Sequence, residues 1–236
     1  MRAALIASLA LCASAVHAEP LGQRYEHHAA HDADGIGKFY LGREIAQVMG
    51  PGGILWLERT ERETQEQPQL VIDALGIKSG QTIADLGAGS GYYSFRIAPL
   101  VGPAGKVLAI DIEPAMLAAI SERARRERIA NVTTVRSSVR DPNLQPRSVD
   151  LLFMVDVYHE LEFPYEVMTQ VRAALKPRGR VALIEYRAED PDVLIKPLHK
   201  MAERQVRREM QAAGFKHVKT VRTLPLQHLM LFEADR

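Results

Sequence analysis

Cysteine is almost missing from this chain: Cys12 is the only one in 236 residues. It falls within "MRAALIASLALCASAVHA", residues 1–18, where Arg2 and the amino terminus precede an apolar stretch from Ala3 to Ala13, and small residues Val16 and Ala18 follow. That order is expected of a secretory signal peptide, which places the mature chain outside the cytoplasm, in the periplasm, with the cytoplasm as the alternative. Removing the leader would leave no cysteine, and so no disulfide, no thiolate metal ligand and no cysteine nucleophile. An excess of one charge is missing too, with 30 Lys and Arg against 29 Asp and Glu. Such a chain has no strong field to draw nucleic acid or an anionic membrane, and neither is expected as a partner. The leader's apolar stretch is too short to span a bilayer, so no integral membrane segment is expected in the mature chain. Aromatics are sparse at 6%, yet 47% of the residues are hydrophobic, enough for one ordinary core. Internal repeats and low-complexity tracts are absent, and nothing in the composition specifies an oligomeric state.

Three segments follow from the pattern: residues 1–18 as the leader, 19–59 as an N-terminal extension or lid, and 60–236 as the main domain. The extension is irregular and rich in glycine, with a helix expected across "KFYLGREIAQVM". Tyr40, Arg43 and Glu44 are candidates for a lid. His27 and His31 would share a helical face, but no second ligand cluster accompanies them, and no metal site is assigned. A helix from Glu61 to Leu75 is expected next, kinked or started by Pro68 and ended by Gly76. Beyond Gly80 the apolar runs "TIADLG", "KVLAIDI", "VTTV", "VDLLFMVDV" and "RVALIEY" alternate with helix-like segments near Tyr92–Leu100, Glu113–Arg128, Tyr165–Leu175 and Met201–Ala213. Strands apolar on both faces and separated by helices predict an α/β fold with a buried parallel sheet. Pro225, between the last two apolar runs, predicts a hairpin and one antiparallel strand.

"ADLGAGSGYYS" sets Gly87, Gly89 and Gly91 directly behind the first of these runs. Glycines weaken helices and strands, so the crowding points to a ligand. The loop falls at the carboxyl end of a strand, where parallel sheets bind ligands, and its amides and the next helix's N-terminus are expected to meet an anionic group. Asp85 adds an anion, so the pair suits a zwitterion such as an amino acid. Asp111 ends the second strand, twenty residues after Gly91, where a carboxylate accepts hydrogen bonds from vicinal ribose hydroxyls. The glycine spacing departs from the dinucleotide fingerprint and disfavours NAD.

Taken in order, "ADLGAGSG", "AIDIEPAML", "SVDLLFMVDVYHEL" and "LKPRGRVALIEY" resemble motifs I, post-I, II and III of class I S-adenosylmethionine-dependent methyltransferases, over about Thr82 to Glu233. The resemblance implies a Rossmann-like doubly wound seven-stranded sheet of order 3-2-1-4-5-7-6, last strand antiparallel, behind a helical or irregular extension. The "YLGREIAQVMG" and "WLERTERE" lead-in and the "IKPLHKM" segment also resemble a bacterial subgroup of these enzymes whose acceptor is unassigned. The family resemblance implies S-adenosylmethionine as cofactor, a small-molecule methyl acceptor, and cofactor contacts at Asp85, Gly87, Ala88, Gly89, Gly91, Asp111, Ile112, Asp141 and Val155. His159 matches a histidine common at this point in related enzymes, and is the candidate catalytic base or acceptor contact; its alternative is a brace for the following loop. Asp156 is a candidate cofactor or cation contact, while Tyr92, Tyr93, His199, Lys200 and His228 are pocket candidates. The alternative to an enzyme is a non-catalytic module that binds S-adenosylmethionine or another nucleoside.

Overall fold

The computed structural model describes residues 24–235. The expected leader, residues 1–18, lies outside them.

Strands replace the helix expected in the extension. Tyr25–His27 (β1), Gly35–Tyr40 (β2) and Arg43–Ala46 (β3) form a small antiparallel sheet. Leu41 and Gly42 turn the chain with φ of +48° and +79°, the two positive values that a tight two-residue hairpin needs. A helix would have carried that glycine in its interior. Short helical turns at Ile54–Leu57 (α1) and Arg62–Gln65 (α2) follow, then Pro68–Leu75 (α3). Gln67 at φ +50° breaks the chain before Pro68, so the proline is the first residue of α3, where its missing N–H costs nothing.

The main sheet comprises Thr82–Leu86 (β4), Lys106–Asp111 (β5), Val132–Arg136 (β6), Val149–Val155 (β7), Leu175–Tyr186 (β8), Phe215–Val221 (β9) and Gln227–Ala234 (β10). Its order is β6-β5-β4-β7-β8-β10-β9, with β10 antiparallel to both neighbours and the remaining pairs parallel. Numbered within the sheet this is 3-2-1-4-5-7-6. Its helices are Tyr92–Val101 (α4), Pro114–Glu127 (α5), Pro164–Ala174 (α6) and Glu203–Ala212 (α7).

Period-two alternation divides the core in two. Ile83, Leu151 and Phe153 face α3, α4 and α5, meeting Val71, Leu75, Ile97 and Ile120. Ala84, Leu152 and Met154 face α6 and α7, meeting Val167, Val171, Val206 and Met210. Because both faces are covered, ligand access is left to the strand ends. The chain runs from β4 to β5 and β6 on one side, then returns to β7 on the other, so the sheet's switch point lies between the carboxyl ends of β4 and β7.

Candidate active site

A cavity of about 540 Å³ opens at that switch point. Its floor comes from the loops after β4, β5, β6 and β7. Its cover comes from Val48, Met49, Trp56 and Leu57 on one side and Leu194 to Lys196 on the other. Tyr40, Arg43 and Glu44, the expected lid residues, do not line it. The volume falls within the roughly 300–1,000 Å³ usual for small-molecule sites, and most of the lining is apolar.

The glycine bend forms one wall, though not by the expected means. Gly87 and Ala88 both donate their N–H groups to Ile110 O, at 2.8 and 2.9 Å, Gly91 donates to Ala88 O at 2.8 Å, and Gly89 donates to Asp111 Oδ2 at 2.8 Å. These amides are consumed within the bend, so what it offers a ligand is bare backbone surface rather than donors. Gly87 has φ +77°, and a Cβ there would lie 2.5 Å from both methyls of Val157. Gly91 lies outside the cavity; at φ +82° it caps α4, and a Cβ would press on Phe95 at 2.8 Å.

Among the remaining residues expected to touch the cofactor, Asp111, Ile112 and Val155 line the cavity with Gly87 and Gly89. Asp111 is buried, and its Oδ1 accepts the Glu113 N–H at 2.9 Å, so both carboxylate oxygens are aimed by backbone donors. Ala88 does not line the cavity. Asp141 is exposed outside it, its Oδ1 holding the Asn143 N–H at 2.8 Å, while Ser137, Ser138, Val139 and Pro142 from the same loop face inward.

Asp85 sits beneath the bend, 4% exposed and outside the cavity, accepting the Ser94 hydroxyl at 2.7 Å. Burial pushes its carboxyl up to about 7. An acid raised this way in the folded state lends stability that is complete below its unfolded value near 4 and is lost as pH rises through about 7. Thermal denaturation from pH 4 to 8 should therefore show Asp85→Asn flattening the decline of Tm by a few degrees relative to the parent; parallel curves would refute the buried acid.

At the other end of the cavity stands His159, in a 3-10 turn at Tyr158–Glu160. It is 1% exposed, and its Nδ1 lies 2.7 Å from Glu185 Oε2. The other oxygen of Glu185 accepts the Tyr158 N–H at 2.9 Å. A carboxylate on Nδ1 holds the proton there and turns the Nε2 lone pair outward. Nε2 lies 3.2 Å from His199 Nδ1, and Glu160 Oε1 is 3.8 Å from each. Burial pushes the Glu160 carboxyl up to about 7 and, with the neighbouring His159, pulls His199 below its ordinary value. Glu160 and Glu185 are absent from the sequence expectations. Glu185 left a signal there, as the one acid inside the apolar run "VALIEY".

A third polar group lines the cavity between these ends. Glu66, 1% exposed, accepts from Arg59 at 2.5 Å, Arg62 at 2.8 Å and the Tyr186 hydroxyl at 2.9 Å. Beside it Asp156, at φ +54°, accepts from Gln227 Nε2 at 2.6 Å, and its Oδ1 has no partner among the described residues. Burial, with Glu66 and Glu185 nearby, pushes the Asp156 carboxyl well up.

The other candidates lie elsewhere. Tyr93 packs edge-on against Phe153, Tyr92 donates to Glu63 at 2.6 Å, Lys200 donates to Val193 O at 3.1 Å, and His228 is buried outside the cavity. His31 faces Glu44 and Asp32 while His27 is exposed on β1, so the fold does not bring the two together.

Residues 77–224 match a family model described as a methyltransferase domain. The ubiquinone/menaquinone biosynthesis C-methyltransferase of Escherichia coli O1:K1 is 28% identical over 133 residues, 56% of this chain and 51% of that protein. The chain thus spans about half the length of the curated relatives it matches. A solved S-adenosylmethionine-dependent methyltransferase from Aquifex aeolicus is 26% identical, with a TM-score of 0.73 over 78% of this chain and 98% of that one. A phosphoethanolamine N-methyltransferase of Haemonchus contortus, 19% identical with a TM-score of 0.55 over 75% of this chain and 47% of that one, shares the fold. These matches overturn the expectation of an exported, periplasmic protein: the chain is similar to a ubiquinone/menaquinone biosynthesis C-methyltransferase and to a solved S-adenosylmethionine-dependent methyltransferase. No helix among the described residues is long and apolar enough to cross a membrane.

Proposed function

Because this chain belongs to the methyltransferase domain family, we propose that it transfers a methyl group from S-adenosylmethionine to a small, largely apolar acceptor. One observation carries this reading: a single cavity holds the glycine bend and Asp111 at one end and the His159 group at the other. Asp111 receives the ribose hydroxyls, Gly87 and Gly89 let the methionine portion pass close to the backbone, and Ile112 and Val155 supply apolar contact around the cofactor. A cofactor held there would supply its methyl group within the same cavity that His159 lines. Methyl transfer is an in-line displacement, and holding the partners near attack distance can contribute about 7–11 kcal/mol.

Leu161, Leu194 and Ile195, with Trp56, line the same cavity and leave apolar space for the acceptor's body. His159 activates the acceptor through Nε2, and Glu185 is a positioning residue that fixes the ring. The E. coli relative is by name a C-methyltransferase of quinone biosynthesis, and an acceptor of similar chemistry, apolar with an ionisable hydroxyl, suits this cavity.

The test is S-adenosylmethionine titration followed by S-adenosylhomocysteine release across phenolic, quinol and amine acceptors. Saturable binding with turnover on a hydroxylated aromatic is expected. Binding without turnover on any acceptor would identify a non-catalytic nucleoside-binding module instead. His159→Ala should lower kcat by about 10²–10⁴-fold and leave cofactor affinity within a factor of about two; unaltered turnover from pH 6 to 8 would remove His159 from the mechanism.

A further inference from the structure

We propose that His159, Glu160 and His199 form a binding site for one divalent transition-metal cation, of which zinc is the type, with an open position facing the acceptor. Their ligand atoms, His159 Nε2, Glu160 Oε1 and His199 Nδ1, converge on one point with separations of 3.2, 3.8 and 3.8 Å. A tetrahedral cation with bonds of about 2.0–2.2 Å holds its ligand atoms roughly 3.3–3.6 Å apart. The observed triangle therefore meets that geometry with shifts of a few tenths of an ångström.

Three further observations separate this cluster from a chance meeting of polar side chains. First, His159 is already braced as a ligand: its far nitrogen lies 2.7 Å from Glu185, which is fully buried and itself fixed by the Tyr158 N–H. A carboxylate behind a histidine is the usual outer support of a metal-bound imidazole, setting its tautomer and orientation. Second, the charge is uncompensated. Glu160 and Glu185 have no Lys or Arg ion-pair partner among the described residues, only the two histidines. Buried carboxylates are normally paired or coordinate a metal. Third, all three side chains line the cavity, so the fourth position of a tetrahedral site opens toward the acceptor space. Two imidazoles and a carboxylate with one open position is a ligand set known for catalytic rather than structural zinc.

This inference deepens the proposed function and rests on it for the use made of the cation, not for the binding itself. With the cation in place, His159 activates the acceptor as a ligand. The acceptor's hydroxyl oxygen takes the open position and its proton passes to solvent water, as metal ions lower the pKa of bound oxygen. The electron pair of the resulting nucleophile forms the new bond to the methyl carbon, the carbon–sulfur bond breaks with its pair moving to sulfur, and neutral S-adenosylhomocysteine leaves.

The experiment uses the full chain without a histidine tag, stripped by chelator and titrated with zinc against a chromophoric competitor. Cobalt(II) is then substituted to read the ligand field in the visible. One equivalent of zinc should bind, with cobalt bands of a four-coordinate nitrogen and oxygen site. His199→Ala and Glu160→Gln should each weaken zinc at least about tenfold, and Glu185→Gln about 10–100-fold through loss of the outer support. Retained S-adenosylmethionine affinity in each variant shows that the fold is intact. No stoichiometric zinc in the parent, or zinc indifferent to all three substitutions and held instead by His27, His28 and His31, overturns the proposal. The two readings fail separately. Zinc bound as described without methyl transfer to any acceptor leaves the cation site standing and removes the proposed function. Transfer indifferent to chelator in a chain that takes up no zinc does the reverse, leaving the His159 imidazole as the base.

Discussion

Asp111→Ala is expected to weaken S-adenosylmethionine binding by at least about 100-fold, the largest effect of any single cofactor-side substitution. Each hydrogen bond from a ribose hydroxyl to a carboxylate is worth about 1.5–3 kcal/mol, and two vicinal hydroxyls make two of them. The loss reaches further than the sugar. Asp111 also holds the Gly89 N–H at 2.8 Å, so the alanine releases the glycine bend at the point where it lines the cavity. Asp111→Asn retains one acceptor oxygen and should fall between the parent and the alanine variant. Calorimetric titration measures both, with Tm recorded alongside to separate a lost contact from a lost fold. Affinity for the alanine variant within a factor of about two of the parent would contradict the ribose assignment.

The second large effect is on stability. Arg43, at the start of β3, places its Nε and Nη2 on Glu209 of α7, at 2.7 and 2.9 Å. Glu209 is fully buried. Removing one partner of a buried pair strands the other, and costs about 3–5 kcal/mol. Arg43→Met should lower the unfolding free energy by that amount, read from the urea midpoint. Replacing both partners, Arg43→Met with Glu209→Leu, should recover most of it, because no charge then remains buried. Arg43 Nη1 also donates to His159 O at 3.0 Å, so the double variant should regain its stability yet keep a lowered kcat. Full recovery of kcat would show that the guanidinium does not position the His159 turn.

Much of this fold is written in local pattern. The five apolar runs from "TIADLG" to "RVALIEY" became parallel strands because residues such as Leu151 to Met154 are buried on both faces, and burial on both faces leaves a continuous hydrophobic signal. Pro225 marked the final hairpin. The N-terminal hairpin was hidden for a physical reason: "KFYLGREIAQVM" holds no proline to break a helix, and Leu41 is an unusual residue for a positive φ. Gly87, Gly89, Asp111, Ile112 and Val155 could be picked out from motifs at successive strand ends, and the fold brings all five to one cavity. His159 and His199 were each singled out, but their meeting with Glu185 was not legible, since the three are distant in sequence and come together only through sheet topology. The Glu66 group was hidden in the same way: nothing local in "WLERTERETQE" shows that folding buries Arg62 and Glu66 and brings the Tyr186 hydroxyl to Glu66. Asp85 and the loop amides were assigned to a ligand because local sequence cannot tell whether a polar group's partner is the protein itself.

The reversed direction of β10 has a practical outcome. Gln227 pairs with Tyr186 at the ligand end of the sheet, so β10 begins where the parallel strands finish, and the backbone beyond Ala234 departs from the opposite rim. A surface tether or fluorescent fusion appended past Asp235 would stand clear of the mouth, whereas one inserted between Val48 and Trp56 would obstruct it. Immobilised preparations intended to screen acceptors are best anchored from that far side.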